Sequence, residues 1–174
     1  GIRMGEYAIA LAGGVESMSR APYVLGKADA AYARSQRLED TTLGWRFVNP
    51  RMEALYGIDT MAETAENVAE QWNVSREDQD AFALRSQLRA SAAQAYGRFN
   101  REIVPVTVTG RKGATTQVTR DEHPRADTTL ETLAGLPTPF RDPGTVTAGN
   151  ASGINDGACA LLLADADSAR YYGL

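Results

Sequence analysis

The single cysteine and the single histidine of this chain are the residues that could perform nucleophilic chemistry. A cysteine nucleophile needs a helix N-terminus, a cation or a paired histidine nearby to favour the thiolate. Cys159 lies instead in the apolar sequence ACALLLA, which is typical of a buried strand where cysteines are inert. His123 lies far along the chain in the polar sequence DEHPR. We therefore interpret Cys159 as a structural residue and His123 as a solvated loop residue.

The sequence TAGNASG, Thr147–Gly153, collects small residues between two apolar segments. Glycine and alanine allow a ligand to approach the backbone, whose N–H and C=O groups can pair with the amides of that ligand. Ser152 adds a hydroxyl that can donate or accept. An ordinary tight connection would have the same composition, so both interpretations stay open. Arg125, in a loop after Pro124, is the best cation for an anionic ligand, although a plain surface arginine would look the same.

The composition is that of a soluble globular protein: 174 residues, 43% hydrophobic and 23% charged. The net charge of −4 argues against a nucleic-acid partner, which normally requires clustered Lys and Arg. One cysteine excludes an internal disulfide, and one histidine argues against a zinc cluster, so we expect a reducing, cytoplasmic setting and no metal. No apolar stretch reaches the roughly 18–20 residues of a membrane span.

Two adjacent helices are predicted in the middle of the chain. The first spans Thr60–Trp72, with Glu66 on its outward face. The second begins at Ser75, which has Asp78 at capping-box spacing, and ends at Gly97. The predicted apolar stripes are Met61, Ala65, Val68, Ala69 and Trp72 on the first helix, and Ala81, Leu84, Leu88, Ala92 and Ala95 on the second. Two amphipathic helices joined so closely should pack as an antiparallel pair.

Strands are predicted on both sides of these helices. Tyr7–Ala12 is an apolar run typical of a strand buried on both faces. Glu102–Thr109 alternates and is followed by a turn and a second strand, as in a hairpin. Thr128 or Thr129 should cap a short helix. Thr145–Ala148 and the sequence GACALLLAD are interpreted as two more strands separated by the small-residue turn.

These elements predict an α/β fold in which the two ends of the chain share one sheet. Residues 1–20 and 144–174 would belong to that core, and residues 21–143 would form an inserted lobe, which is a natural place for a binding site. The sequence starts without a methionine or a helix cap and stops soon after a helix begins. From this we expect an internal piece of a longer protein.

Four motifs resemble the thiolase family, in order and in spacing: AGGVESMSRAP, TAENVAEQW with SREDQDAFALRSQ, EIVPV, and GTVTAGNASGINDGA. The resemblance covers essentially the whole chain. It implies a partial thiolase fold, namely part of the N-terminal half of the αβαβα core with its inserted coenzyme A (CoA)-binding loop domain. The sequences KADAAYARSQRLEDTTLGWRFVNPRM and DEHPRADTTLETL are most similar to the 3-oxoadipyl-CoA branch, which acts in the β-ketoadipate pathway of aromatic catabolism.

The resemblance also implies a reaction. Thiolases are acyltransferases that cleave a 3-oxoacyl-CoA with CoA to give acetyl-CoA and a shortened acyl-CoA. The family's cysteine and histidine lie on CGSG and GHP motifs that this chain lacks, so the resemblance gives Cys159 no catalytic role and implies that this chain alone is inactive. The implied partners are CoA and 3-oxoacyl-CoA as substrates, with no tightly bound cofactor, nucleic acid or membrane, in a homodimer or homotetramer.

The CoA-binding residues carry over from the family by position. Ser152 matches the serine that bonds a pantetheine amide, Ala148 the alanine whose backbone lines the same arm, and Arg125 the arginine near the adenine nucleotide. The remaining matches are Thr132, where the family often has serine, and Phe140 and Met61 along the pantetheine channel. Thr60 replaces a histidine of the biosynthetic thiolases, which favours an acyl group larger than acetoacetyl. A non-catalytic CoA-binding module or a lipid-transfer relative of thiolases is the alternative.

Overall fold

The computed structural model describes residues 1–174, which form two compact units. One unit comprises Gly1–Phe47 and Ile154–Leu174, and the other comprises Val48–Gly153. None of the helices is both long and apolar enough to cross a lipid bilayer. The sequence predicts a different kind of division, into a core of residues 1–20 and 144–174 and an inserted lobe of residues 21–143. That division stays a prediction.

The chain contains six strands and five α-helices. The strands are β1 (Ile9–Ser17), β2 (Tyr23–Leu25), β3 (Leu38–Asp40), β4 (Val106–Thr109), β5 (Thr115–Val118) and β6 (Asp156–Ala164). The helices are α1 (Pro50–Tyr56), α2 (Met61–Trp72), α3 (Arg76–Ala95), α4 (Leu130–Ala134) and α5 (Ala166–Tyr172). The strands pair as three antiparallel two-stranded sheets: β1 with β6, β2 with β3, and β4 with β5.

The first unit is built on the long ribbon of β1 and β6. The two strands pair from Ile9 opposite Ala164 to Ser17 opposite Asp156, so the two ends of the chain share one sheet, as the sequence predicts. The ribbon has close backbone contact at Gly13, where a Cβ atom would lie 2.7 Å from the carbonyl oxygen of Cys159. Any larger residue at this position would force the strands apart.

The predicted burial of this ribbon is wrong. Leu11, Val15 and Leu162 are exposed, and so is Cys159, which we expected in an apolar interior. A two-stranded ribbon has two faces and no third strand, so the apolar side chains that a fully buried strand would carry on both faces stay open to solvent. The apolar run correctly indicates a strand, but it does not indicate what covers that strand.

Helices α2 and α3 of the second unit begin where the sequence predicts. The hydroxyl of Thr60 accepts from the N–H of Glu63 at the start of α2, and the hydroxyl of Ser75 accepts from the N–H of Asp78 at the start of α3. Helix α3 makes its close backbone contacts with α4 and with the 3-10 turn that follows α3 itself, rather than with α2. The predicted antiparallel pair of α2 and α3 is therefore wrong.

The predicted orientation of both helices is also wrong in part. Ala69 is buried as expected, but Met61, at the start of the predicted apolar stripe of α2, is 84% exposed. The residues buried beside it are charged: Glu66, placed on the outward face by the sequence, is 3% exposed, and Asp80 of α3 is 4% exposed. The predicted stripe of α3 is open at Leu88. Both helices turn an acidic residue inward because a neighbouring loop needs acceptors, as described below.

Two of the predicted strands differ from the structure. The β4–β5 hairpin forms as expected, but β4 begins at Val106 rather than at Glu102. The N–H groups of Glu102 and Ile103 both donate to the carbonyl oxygen of Phe99, which prolongs the preceding turn as far as Ile103. The predicted strand Thr145–Ala148 is not a strand, because its first backbone N–H groups donate to the Glu66 carboxylate and not to a neighbouring strand.

Candidate functional site

The small-residue turn is organised around Thr147, which is fully buried. The Thr147 hydroxyl accepts from the N–H groups of Gly149 and Asn150 at 3.1 and 3.3 Å. The Thr147 carbonyl accepts from the N–H groups of Asn150 and Ala151 at 3.3 and 3.1 Å. The turn is therefore a tightly bonded loop, and its conformation is fixed by one buried threonine.

The side chain of Asn150 closes the turn and connects it to α3. Its Oδ1 accepts from the N–H of Thr147 at 2.8 Å, and its Nδ2 donates to the carbonyl oxygen of Thr145 at 3.1 Å. The same Nδ2 donates to Oδ1 of Asp80 at 3.0 Å. Every strong donor and acceptor of this amide is thus used inside the protein.

Glu66 of α2 holds the segment just before the turn. Its Oε1 accepts from the N–H groups of Thr145 and Val146 at 2.8 and 2.7 Å, and its Oε2 accepts from the Thr145 hydroxyl at 2.8 Å. Burial by itself raises the pKa of Glu66, but the hydrogen bonds from Val146 and Thr145 and the charge of Arg141 together hold it below the ordinary value of 4.5. Glu66 is therefore a buried carboxylate that is stabilised in its charged form.

Asp80 extends the same support to α4 through Arg76. The Arg76 Nε lies 2.8 Å from Oδ2 of Asp80, and its Nη2 donates to the carbonyl oxygens of Leu133 and Leu136 at 2.6 and 3.1 Å. The guanidinium thus supplies a partner to the Leu136 carbonyl and a second donor to the Leu133 carbonyl, which already accepts from the N–H of Leu136 at 3.0 Å. Asp80 thus connects the turn on one side with α4 on the other.

Gly149 is required by packing. A Cβ atom at this position would lie 2.5 Å from Cδ2 of Leu133 and 2.6 Å from Cδ1 of Leu136. Of the two interpretations left open by the sequence, the structure supports the tight connection at this glycine. Any ligand would meet the other side of the turn, where Ala148 and Ser152 are exposed.

Ala148 and Ser152 are both exposed to solvent, two residues before and two residues after Asn150. The hydroxyl of Ser152 has no hydrogen-bond partner in the chain, and neither has the carbonyl oxygen of Ala148. Both lie within two residues of Asn150, so the buried bonds of Asn150 fix their positions. The turn therefore offers one hydroxyl and one carbonyl to an outside molecule, on a segment whose shape is fixed by the buried bonds of Thr147 and Asn150.

Arg125 lies on the segment that leads into α4, and Thr132 lies in the first turn of α4. The N–H of Arg125 donates to Oε1 of Gln87 on α3 at 2.8 Å, whereas its exposed guanidinium forms no ion pair or hydrogen bond. The Thr132 hydroxyl accepts from the N–H of Thr129 at 3.0 Å and donates to the carbonyl oxygen of Thr129 at 2.9 Å. The hydroxyl of Thr132 already completes a capping box, and a ligand could reach only its remaining lone pair.

Phe140 and Met61 are exposed apolar residues, at 43% and 84%. Arg141 ties the segment that contains Phe140 to α2: its guanidinium lies 2.6 Å from Oε2 of Glu63 and 3.2 Å from Oε2 of Glu70. The hydrogen bond to Glu63 raises the pKa of Arg141 above its ordinary value. Since Glu63 lies in the first turn of α2, which begins at Met61, this ion pair holds the two apolar residues on neighbouring segments.

The residues that support this site were missed by reasoning from sequence. They are Glu66, Asp80, Arg76, Asn150 and Arg141. One signal was available: α2 contains Glu63, Glu66 and Glu70 but no Lys or Arg, so its acidic groups had to find partners elsewhere. The partners themselves lie more than sixty residues further along the chain and leave no periodic pattern.

The chain is similar to known proteins over nearly its whole length. The thiolase N-terminal domain matches residues 1–167. Beta-ketoadipyl-CoA thiolase of Pseudomonas aeruginosa is 64% identical over 173 residues, which cover 99% of this chain and 43% of that protein. The 3-oxoadipyl-CoA/3-oxo-5,6-dehydrosuberyl-CoA thiolase of Escherichia coli K12 is 56% identical, with the same coverage. The chain thus spans less than half the length of these relatives.

Solved structures give the same fold. The acetyl-CoA acetyltransferase of Bacillus anthracis matches 99% of this chain and 42% of its own, with a TM-score of 0.78 and 40% identity. Human mitochondrial 3-ketoacyl-CoA thiolase in complex with CoA matches 99% and 41%, with a TM-score of 0.77 and 41% identity. These matches confirm the predicted α/β fold of the N-terminal part of thiolases. The chain therefore belongs to the thiolase family and matches the N-terminal part of its members.

Proposed function

We propose that this chain is the CoA-binding part of a thiolase that cleaves 3-oxoadipyl-CoA with CoA to give acetyl-CoA and a shortened acyl-CoA. The names of the relatives support this substrate, since the chain is 64% identical to the beta-ketoadipyl-CoA thiolase of Pseudomonas aeruginosa but 48% identical to an acetyl-CoA acetyltransferase of Shinella zoogloeoides. Thr60, in place of the histidine of biosynthetic thiolases, agrees with an acyl group larger than acetoacetyl. A cytoplasmic homo-oligomer is part of the same proposal.

The exposed side of the small-residue turn carries this proposal. The pantetheine arm of CoA is long, flexible and contains two amides, so it suits a surface of small residues with few, well-placed polar groups. The free hydroxyl of Ser152 and the free carbonyl of Ala148 are groups of this kind. The hydroxyl can donate or accept a hydrogen bond, and the carbonyl can accept one. Their backbone is held by buried bonds, so little order would have to be gained on binding.

The nucleotide end of CoA carries phosphates and requires a cation. Arg125 offers an exposed guanidinium without a competing carboxylate, on a loop whose backbone is fixed by Gln87. A free guanidinium can pair with phosphate oxygens through two parallel hydrogen bonds. Phe140 and Met61 would contact the apolar stretches of the arm, and the remaining lone pair of Thr132 could accept from it.

In the proposed reaction this chain binds and orients, and the bond-making groups come from elsewhere in the enzyme. A cysteine thiolate attacks the keto carbon of the 3-oxoacyl-CoA, the bond between that carbon and C2 breaks, and the departing enolate takes up a proton to leave as acetyl-CoA. The thiolate of a second CoA then takes the acyl group and releases the cysteine. The thioester must lie within bonding distance of that cysteine, so holding the arm of CoA at the turn contributes by orientation. A displacement of about 1 Å can cost on the order of a hundredfold in rate.

A chimera tests the proposal. This chain replaces the matching segment of the Pseudomonas aeruginosa relative, and thiolysis of 3-oxoadipyl-CoA is measured. Ser152→Ala and Arg125→Ala should each raise the KM for CoA by about 5- to 150-fold, which corresponds to about 1–3 kcal/mol for a lost hydrogen bond or charged contact. Ser86→Ala and Arg111→Ala, at exposed positions away from the turn, are the controls. An unchanged KM for CoA in both test variants would refute the site, and binding of CoA without turnover by the chimera would refute the reaction.

A further inference from the structure

The support beneath the small-residue turn contains a part-buried hydrogen bond between Asn150 and Asp80. Asp80 is almost fully buried, and a buried carboxylate requires partners for both of its oxygens. Arg76 bonds one oxygen and the Asn150 amide bonds the other. Apolar residues at positions 80 and 150 would fill the same space without the free-energy cost of burying a charge. The polar pair must therefore have a role other than filling space, and a hydrogen bond can fix a direction that apolar packing leaves open.

We propose that Asn150 and Asp80 are positioning residues, whose contact fixes the exposed face of the turn, and with it the CoA arm, relative to α3 and α4. The inference rests on the proposed function, because it concerns the same site. Ala148 precedes Asn150 by two residues and Ser152 follows it by two. A shift of the Asn150 side chain therefore moves both groups that face outward.

The chemistry at position 150 is specific to an amide. Its oxygen must accept from the N–H of Thr147, while its nitrogen must donate to two oxygen acceptors, the carbonyl of Thr145 and the carboxylate of Asp80. Aspartate has the same shape but no donor, so Asn150→Asp would place a carboxylate against the Thr145 carbonyl and the Asp80 carboxylate. Two like charges this close repel, and the turn would have to move away from α3.

Asp80 also positions α4, through its ion pair with Arg76. The guanidinium that it holds also bonds the carbonyl oxygens of Leu133 and Leu136, at the end of the helix that contains Thr132. The turn and α4 are thus positioned from one buried carboxylate. Displacing Asn150 releases the turn alone, whereas removing the charge of Asp80 weakens the support of both segments.

Calorimetric binding of CoA to this chain separates positioning from mere stability. Asn150→Asp should weaken the Kd for CoA at least tenfold, with a stoichiometry that stays at the wild-type value. If Asn150 only stabilised the fold, the apparent Kd would rise by no more than the inverse of the folded fraction, so a variant that circular dichroism shows to be at least about 90% folded would keep a Kd within about twofold of the wild-type value. Asn100→Asp makes the same chemical change at an exposed position and should leave the Kd within twofold of the wild-type value.

The double variant Asp80→Asn/Asn150→Asp supplies a rescue. It reverses the direction of the bond, because the amide nitrogen introduced at position 80 would donate to the new carboxylate, while the amide oxygen there still accepts from Arg76. We expect the Kd to recover at least threefold relative to Asn150→Asp alone. Recovery would be incomplete, because the bond to the Thr145 carbonyl stays lost. No recovery would overturn the pairing of these two residues.

Hydrogen exchange provides a readout that does not depend on CoA. The N–H groups of Asn150 and Ala151 donate within the turn, and Asn150→Asp should lower their protection at least tenfold while the amides in the middle of α2 keep theirs. Unchanged protection would overturn the inference. A wild-type chain that shows no binding of CoA would instead refute the proposed function, and the exchange data would still decide whether Asn150 positions the turn.

Discussion

Replacing the buried Glu66 by glutamine should destabilise the second unit and make its stability less dependent on pH. The substitution keeps the size and shape of the side chain and removes one charge. In the wild type, Oε1 of Glu66 accepts from two backbone N–H groups and Oε2 accepts from the hydroxyl of Thr145. The Thr145 hydroxyl in turn accepts from Nε2 of Gln79 at 3.0 Å. The amide of glutamine can reproduce only part of this arrangement.

The expected loss follows from these bonds. Hydrogen bonds to a charged group contribute about 1.5–3 kcal/mol each and neutral ones about 0.5–1.5, so the two backbone bonds together lose about 2 kcal/mol. The new NH2 group faces the Thr145 hydroxyl, which already accepts from Gln79 and can no longer donate to position 66. A total of about 2–3 kcal/mol corresponds to a decrease in Tm of about 4–12 °C for a chain of this size.

The dependence on pH has a definite sign. The pKa of Glu66 is lower in the folded protein than its ordinary value of 4.5. A lowered pKa means that the unfolded state binds the proton more tightly. The stabilisation by the charged carboxylate is therefore complete above the ordinary value and is lost as the pH falls through the folded one. The difference in stability between wild type and Glu66→Gln should accordingly be full at pH 7 and shrink in acid.

Urea unfolding followed by circular dichroism at 222 nm measures this effect, because four of the five helices lie in the second unit. Glu70→Gln is a matched control: it makes the same change on the same helix and also removes a partner of Arg141, but Glu70 is 81% exposed. The control should change stability by less than about 0.5 kcal/mol. If Glu66→Gln cost no more than the control, or if its cost were the same at pH 7 and in acid, the assignment of Glu66 as a stabilising buried carboxylate would be wrong.

Two further predictions concern packing and exposure. Gly149→Ala should lower the free energy of unfolding by about 1–3 kcal/mol, because its Cβ atom would overlap Leu133 and Leu136. The control is Gly135→Ala, where a Cβ atom meets nothing closer than 3.6 Å, and this variant should be as stable as the wild type or slightly more stable. Equal stabilities of the two variants would contradict the close contact at Gly149. Cys159 should react with iodoacetamide in native buffer to one adduct per chain, as measured by mass spectrometry, and a requirement for denaturant would contradict its exposure.

The parts of the fold that were predictable from the sequence are those fixed by local chemistry. Thr60, Ser75 and Thr129 each begin a helix, because a short polar side chain placed before a helix satisfies one of its free N–H groups. The β4–β5 hairpin and the pairing of β1 with β6 follow from β-branched or apolar runs. Candidate binding residues came from the family resemblance, and the structure adds that Ser152 and Ala148 lie on one exposed turn.

Burial was the part that could not be predicted. A periodic pattern shows that a helix has two faces, but which face is covered depends on segments far away in the sequence. On α2 the pattern favoured burial of Met61, yet Glu66 is the residue that is covered. For β1 and β6 the pattern favoured a covered strand, yet Cys159 is exposed. In each case the pattern correctly predicts a helix or a strand, but it does not predict which other segments of the chain cover that helix or strand.

The burial of Glu66 and Asp80 has one physical origin. A segment that enters a turn without joining a sheet must satisfy its backbone N–H groups in another way, since an unpaired buried N–H costs about as much as a lost hydrogen bond. The segment from Thr145 to Asn150 solves this with carboxylates from two helices, directly at Thr145 and Val146 and through the Asn150 amide at the other end. The acidic residues are therefore a consequence of the irregular backbone. An irregular backbone is also what leaves the Ala148 carbonyl without a partner, so the same feature that buries two charges exposes a group of the proposed site.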